Sequence, residues 1–284
     1  MPSLKDFRKR IASVRSTQQI TKAMKMVAAA RLRRAQEAAE RARPYAAKLT
    51  EMFTEVVAGL SEDAHPLLAR RAEARADLIV LTSDRGLCGG YNANLLRQAE
   101  VFLREHAEEK KQLVLVGRKA LDYFRRRSVT PLAEFTGVLN MPTVQVAGKL
   151  ADRVIARFAE GDTDAVYLLY SRFQSAISQV PTVVRLLPVD APAEDTSPVE
   201  YIFEPPRPEL LAALLPRYIQ TRLLQALLES IASELGARMS AMDNATRNAG
   251  EMIDRLTLSM NRARQAAITT ELMEIVSGAE ALKG

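Results

Sequence analysis

Apolar side chains recur every three or four positions over residues 208–282, with no interruption long enough to end a helix. Within that stretch Met242, Thr246, Ala249, Ile253, Leu256, Met260, Ala263 and Ala267 alternate in steps of four and three. This is a heptad seam, the pattern of a helix that lies along another helix. Roughly 75 residues at 1.5 Å each reach about 110 Å, several times the width of a small domain. The other end of the chain carries the matching pattern, because Leu4, Phe7, Ile11 and Val14 step by three, four and three. The spacing therefore predicts a long antiparallel coiled coil built from the two ends of the chain.

The first of these segments spans residues 1–60. It has no Gly before Gly59 and no Pro between Pro2 and Pro44. Ser3 is placed to cap its start, with Asp6 three residues on as the reciprocal partner. The seam falters after Val14, where Gln18 and Thr21 stand at positions expected to be apolar. It resumes less regularly through Met24, Val27, Leu32 and Ala35. Pro44 is expected to kink or end the helix, since it lacks a backbone donor and crowds the preceding turn.

The middle, residues 76–205, alternates two kinds of signal. Strands are predicted at 77–83, 112–116, 165–171 and 182–189, with 179–181 leading into the last and a further edge at 199–203. Helices are predicted at 92–106, 118–127 and 143–159. This order indicates a small Rossmann-like α/β layer with a largely parallel sheet, its last two long strands close enough to pair antiparallel. The fold class is thus α/β, with a coiled coil of the terminal helices (1–60 and 208–284) added to the middle domain.

Near Arg264 the seam of the last helix slips by one residue and continues as Ile268, Leu272, Ile275, Ala279 and Leu282. Such a slip unwinds a supercoil locally and marks a place where one partner is exchanged for another. Length gives the same answer. A first helix of about 55 residues against a last one of about 75 leaves about 30 Å of single helix. That tip, residues 266–282, has only Glu271, Glu274 and Glu280 as charges and is apolar on more than one face. A lone helix of this kind requires a sheath from another polypeptide.

Composition narrows the function classes. Apolar content is 48%, aromatics are scarce and Trp is absent, a profile of helices packed through small side chains. The net charge of +6 is uneven: residues 1–48 hold thirteen Lys and Arg against Asp6, Glu37 and Glu40, so the rest of the chain sums to −4. Cys88 is the single cysteine, which excludes an internal disulfide and points to a reducing compartment. His65 and His106 with one Cys cannot build a zinc site. No apolar run approaches a membrane span. The Arg-rich, acid-poor start resembles a transit peptide in composition, but heptads beginning at Leu4 and no cleavable break argue against one.

Candidate chemistry is sparse. The loop from Thr82 to Asn92 joins a strand to a helix and carries Gly86, Gly89 and Gly90, as phosphate-cradling loops do. It lacks both the Lys-Ser/Thr ending of a P-loop and the spacing of a dinucleotide fingerprint, so tight strand–helix packing accounts better for its glycines. Cys88 has no base within reach in the sequence and reads as a small buried residue. The carboxylate pairs Asp162 and Asp164, and Glu108 and Glu109, read as solvated loops. The basic first helix fits a nucleic-acid surface, a plain solvated face, or the counterpart of an acidic protein surface. The last of these alone explains both the charge and the need for a sheath.

Three motifs resemble one family. Ile11-Ala12-Ser13-Val14 with Thr17-Gln18-Gln19-Ile20-Thr21-Lys22-Ala23-Met24-Lys25-Met26-Val27-Ala28 is similar to the start of the γ subunit of F-type ATP synthases. Ser83-Asp84-Arg85-Gly86-Leu87-Cys88-Gly89-Gly90 resembles that family's central loop. Asn261-Arg262-Ala263-Arg264-Gln265-Ala266-Ala267-Ile268-Thr269-Thr270-Glu271, with Glu274 and Gly278-Ala279 after it, resembles its C-terminal signature. The resemblance covers essentially the whole chain.

It implies a central-stalk rotor in a proton-translocating synthase. The coiled coil would stand inside a hexamer of α and β subunits, and the base would sit on the ε subunit and the membrane c-ring. The chain would have no catalytic site and no cofactor, with ATP, ADP and Mg held by α and β. It would be peripheral to the cytoplasmic side of a bacterial inner membrane and bind no nucleic acid. By motif position, Lys22, Met24 and Lys25 would face an acidic lever segment of β. Arg264 and Gln265 would engage the β loop that grips the shaft, with Thr269 and Glu271 in the same collar. Ile268, Leu272 and Ile275 would fill an apolar bearing at the top of the hexamer. Two departures stand out: Lys25 is acidic in some members, and the cysteine-bearing insertion of chloroplast relatives is missing. The competing readings are a coiled-coil nucleic-acid adaptor and a small Rossmann-like enzyme.

Overall fold

A computed structural model describes residues 3–58, 60, 64–106, 110–138, 144–190 and 203–281. Two compact units divide the chain, Met1–Val27 with Met239–Gly284, and Ala28–Arg238. The long helices α1 (Leu4–Val57) and α5 (Arg207–Ala281) each contribute to both units.

The second unit is built on a five-stranded sheet in the order β3-β2-β1-β4-β5. Strands β1 (Arg75–Leu81), β2 (Lys110–Val116), β3 (Ala133–Phe135) and β4 (Ala165–Phe173) run parallel, and β5 (Gln179–Leu187) returns antiparallel beside β4. Helices α2 (Tyr91–Glu105), α3 (Arg118–Arg125) and α4 (Val144–Ala159) make the crossovers. β1 is buried on both faces, as its unbroken apolar run requires in a covered parallel strand. Leu78 and Val80 pack with α2 and α3, while Ile79 and Leu81 face α4 and the parts of α1 and α5 in this unit.

Several expectations need correction. α1 continues through Pro44 because Ala46, Leu49, Phe53 and Val56 beyond it are all buried. Burying large apolar side chains at about 1.5–3 kcal/mol each outweighs the roughly 3 kcal/mol cost of an interior proline. β3 was not anticipated, since three residues reading Ala-Glu-Phe carry no periodicity. β5 starts at Gln179 and includes Pro181, which is tolerated because β5 is an edge strand that needs no donor outward. The expected edge at 199–203 lies outside the described residues except for Phe203, as do Glu108 and Glu109.

Asp164 is not a solvated loop carboxylate. It is buried and accepts hydrogen bonds from the Arg75 backbone N–H at 2.9 Å, from Arg75 Nη2 at 2.9 Å and from Arg75 Nε at 3.2 Å. Asp77, also buried, is paired with Arg157, which reaches Asp162 as well.

Candidate partner interface

In the first unit, α1 from Leu4 to Val27 lies against α5 from Met239 onward. Ser3 caps α1 as its sequence requires: Asp6 N–H donates to Ser3 Oγ at 3.2 Å, and Ser3 N–H donates back to Asp6 Oδ2 at 3.0 Å. The Ser3 bonds hold the Asp6 carboxyl below its usual range.

The seam does not falter at Gln18 and Thr21; it changes chemistry. Leu4, Phe7, Ile11, Val14 and Gln18 are half-buried and Thr21 is buried, in one unbroken three–four rhythm that continues to buried Ala28 and Leu32. Val27, expected in the seam, is 54% exposed, so Ala28 takes that place. The polar seam residues are matched across the helix pair. Thr21 Oγ1 lies 2.8 Å from Thr246 Oγ1, Gln18 Nε2 donates to Thr246 O at 3.5 Å, and Lys25 Nζ donates to Asp243 Oδ1 at 2.6 Å. Gly250 makes room for Gln18, since a Cβ there would come within 3.1 Å of Gln18 Nε2. Asp243, Gly250, Gln18 and Thr21 were not singled out as a set from sequence. The available signal was the coincidence of Thr246 in one seam with Gln18 and Thr21 in the other.

These contacts fix an antiparallel register. Seven residues back along α1, from Lys25 to Gln18, accompany seven forward along α5, from Asp243 to Gly250. At this register Leu4, where α1 begins, stands level with about residue 264, one 1.5 Å rise per residue being common to both helices. The exposure pattern agrees. Ala263 is the last half-buried residue of α5, and every described side chain after it is exposed. The slip in the heptad near Arg264 therefore coincides with the end of the intrachain partner.

Beyond that level α5 presents Ile268, Leu272, Met273, Ile275 and Val276, with exposures from 48% at Ile268 to 67% at Ile275. Arg264, Gln265, Thr269 and Glu271 are exposed beside them, and Thr269 Oγ1 merely donates back to Gln265 O at 3.0 Å. The anticipated contact residues thus fall in two groups. Arg264, Gln265, Ile268, Thr269, Glu271, Leu272 and Ile275 share one open helical segment. Around Met24, Lys22 is exposed, Met24 is half-buried in the seam, and Lys25 is held by Asp243. The Lys25 ammonium keeps the Asp243 carboxyl below its usual range.

The second unit explains what became of the glycine-rich loop. The carboxyl ends of β1 and β4 flank the switch point of the sheet, where doubly wound folds bind ligands. Here α5 fills that crevice. Ser233 Oγ donates to Ser171 O at 2.9 Å, Tyr91 Oη donates to Ser230 O at 3.2 Å, and Arg238 Nη2 donates to Gly86 O at 3.2 Å. Glu234, paired with Arg238, is buried, and burial pushes its carboxyl up. Cys88 is a buried member of the loop, and burial raises its thiol, the opposite of what a nucleophile needs. The glycine that matters most for strand–helix closure is Gly117, outside the motif. Its φ is +94°, and a Cβ would sit 1.9 Å from Thr82 O. Among the described residues no helix is long and apolar enough to cross a membrane.

A family model described as ATP synthase matches residues 3–282. ATP synthase γ chains from Anaeromyxobacter sp. (strain Fw109-5) and Moorella thermoacetica are 53% and 52% identical, each over 100% of both chains. Among solved structures, a chain of the Tetrahymena thermophila mitochondrial ATP synthase central stalk and c-ring aligns with a TM-score of 0.63. It is 27% identical, over 80% of this chain and 99% of that one. A chain of the Euglena gracilis mitochondrial ATP synthase aligns with a TM-score of 0.71 over 98% and 94%, at 22% identity, a likeness of fold.

Proposed function

From the premise that the chain belongs to the family of ATP synthase γ chains, we propose that it is the central-stalk rotor of an F-type synthase, carrying torque between the membrane c-ring and the catalytic β subunits. The observation that carries this reading is the tip of α5. An apolar helix surface more than a dozen residues long, with no covering side chain among the described residues, calls for a socket built by other subunits. The α and β hexamer supplies it, and the ε subunit and c-ring contact the second unit.

The physical device is asymmetry. Up to about residue 264 a β subunit meets either α1 or α5, depending on the angle of the shaft. Beyond it, among the described residues, only α5 remains. Rotation therefore changes which surface each β subunit touches, and differential contact is what shifts a protein between states. Exposed Lys22 meets the acidic lever of β, and Arg264 with Gln265 forms the grip. Met24 and Lys25 act mainly through the seam that positions them. The two long helices, shared by both units, are the covalent route for torque.

The chain contributes no catalytic step and holds no cofactor; ATP, ADP and Mg belong to α and β. Supporting this, the crevice a Rossmann-like sheet would use is occupied by α5 side chains. The chain acts on the cytoplasmic face of a bacterial inner membrane as a peripheral part of the complex. The test is co-purification from solubilised membranes. Elution with two homologous nucleotide-binding chains in equal amounts is expected, and recovery of the chain alone or bound to nucleic acid would overturn the reading.

A further inference from the structure

One ion pair in the first unit has a geometry that its contribution to stability does not explain. Over residues 7–36 α1 carries no acid, so Lys25 has no carboxylate of its own helix within a turn. Asp243 on α5 supplies one, with Lys25 Nζ donating to its Oδ1 at 2.6 Å. Asp243 has a cation on its own helix as well, but Arg247 Nη2 stands 3.9 Å from Oδ2, beyond hydrogen-bond reach. The carboxylate thus bonds across the helix pair in preference to along its own helix. The two side chains are 43% and 39% exposed, and an ion pair this open adds little to stability.

Its position accounts for it better. Lys25 follows Thr21 by four residues and Asp243 precedes Thr246 by three, so the ion pair lies one helical turn from the matched hydroxyls. Directional contacts on successive turns resist the sliding of one helix along the other, which a purely apolar seam does not. Capture across the pair is also selective. Lys22, three residues earlier, is exposed and makes no ion pair among the described residues.

We propose that Asp243 is a positioning residue of the rotor: it holds the Lys25 ammonium on α5, so that the two helices turn as one body at this level and Lys25 is withheld from the surrounding subunits. The inference rests on the rotor reading. It assigns Lys25 to the mechanics of its own chain rather than to the β contact its motif position implies. What matters is then the pair and not its polarity, since exchanging the carboxylate and the ammonium between the two helices closes the same gap.

The test compares proton pumping with ATP hydrolysis by the whole synthase in inverted membrane vesicles. Lys25→Glu and Asp243→Lys, which set like charges face to face, should each lower pumping per ATP about threefold, the scale of one exposed ion pair. The double reversal should return the wild-type ratio, with the melting temperature of the purified chain nearly unchanged throughout. Asp243→Asn should lower the ratio less, by about twofold, and decides the matter if a reversal blocks assembly. Wild-type ratios in the single variants, or losses matched by falls in melting temperature, would overturn the proposal. So would a double reversal as impaired as Lys25→Glu, which would return Lys25 to β. A wild-type complex that hydrolyses ATP but pumps no protons would instead sink the rotor reading, and this inference with it.

Discussion

Thr21 and Thr246 face each other across the antiparallel pair with their hydroxyl oxygens 2.8 Å apart. Each also lies within reach of a carbonyl of its own helix, Gln18 O at 3.0 Å and Met242 O at 2.7 Å. Two hydroxyls have two hydrogens for three contacts, so one hydroxyl gives up its own helix to bond across. The pair therefore ties register to hydrogen bonding in a way an apolar pair would not. Replacing either by Val removes the bond across the pair and should cost about 1 kcal/mol, the remaining hydroxyl falling back on its own helix, while the double Val variant should lose less than the sum. A double-mutant cycle from denaturant unfolding reads this coupling; strict additivity would contradict it.

Arg264→Ala should leave the thermal unfolding of the second unit unchanged while weakening assembly or coupling. The side chain is exposed and unpaired within the described residues, which leaves it open to the β subunit proposed to grip it. Loss of a charge-assisted hydrogen bond is worth about 1.5–3 kcal/mol. Rotation-coupled ATP hydrolysis and sedimentation of the complex are the readouts, and wild-type values for both would show that the grip is misplaced.

The Arg75–Asp164 pair makes stability depend on acid pH. Arg75 and two backbone N–H groups hold the Asp164 carboxyl below its ordinary value of 3.8. A carboxyl depressed on folding contributes stability that is complete above the unfolded value and is lost as pH falls through the folded one. Asp164→Asn should therefore lower stability at pH 7 by about 2 kcal/mol, the scale of one charged hydrogen bond, and flatten the loss below pH 4. Unfolding curves between pH 2 and pH 7 check both parts.

Gly117→Ala should prevent stable folding of the second unit. A methyl group would strike Thr82 O, a backbone atom at the end of β1 that cannot move without breaking the sheet, and φ of +94° strains any other residue. Circular dichroism and proteolysis would reveal it. A wild-type melting temperature would mean that the loop relaxes.

Sequence periodicity carried the long helices, the alternating middle and the naked tip, because each rests on many residues repeating one pattern. The register of the pair was less legible. Gln18 and Thr21 looked like breaks when viewed in one helix and became a match only beside Thr246, Asp243 and Gly250. Asp164 looked solvated because its partner Arg75 is distant in sequence. α1 passing through Pro44 could not be foreseen, since the opposing term is burial of Leu49, Phe53 and Val56 in a core that only the fold assembles. Gly117 stands apart from the conspicuous glycines at 86, 89 and 90, and only the fold brings it against Thr82 O.

Site-directed labelling at position 275 tests the sheathed tip most directly. In a Cys88→Ser background, Ile275→Cys on the purified chain should react with a maleimide at the rate of a free thiol, as its 67% exposure requires. In the assembled synthase the same thiol should be protected at least about tenfold. Equal labelling rates in the free chain and the working complex would contradict the account.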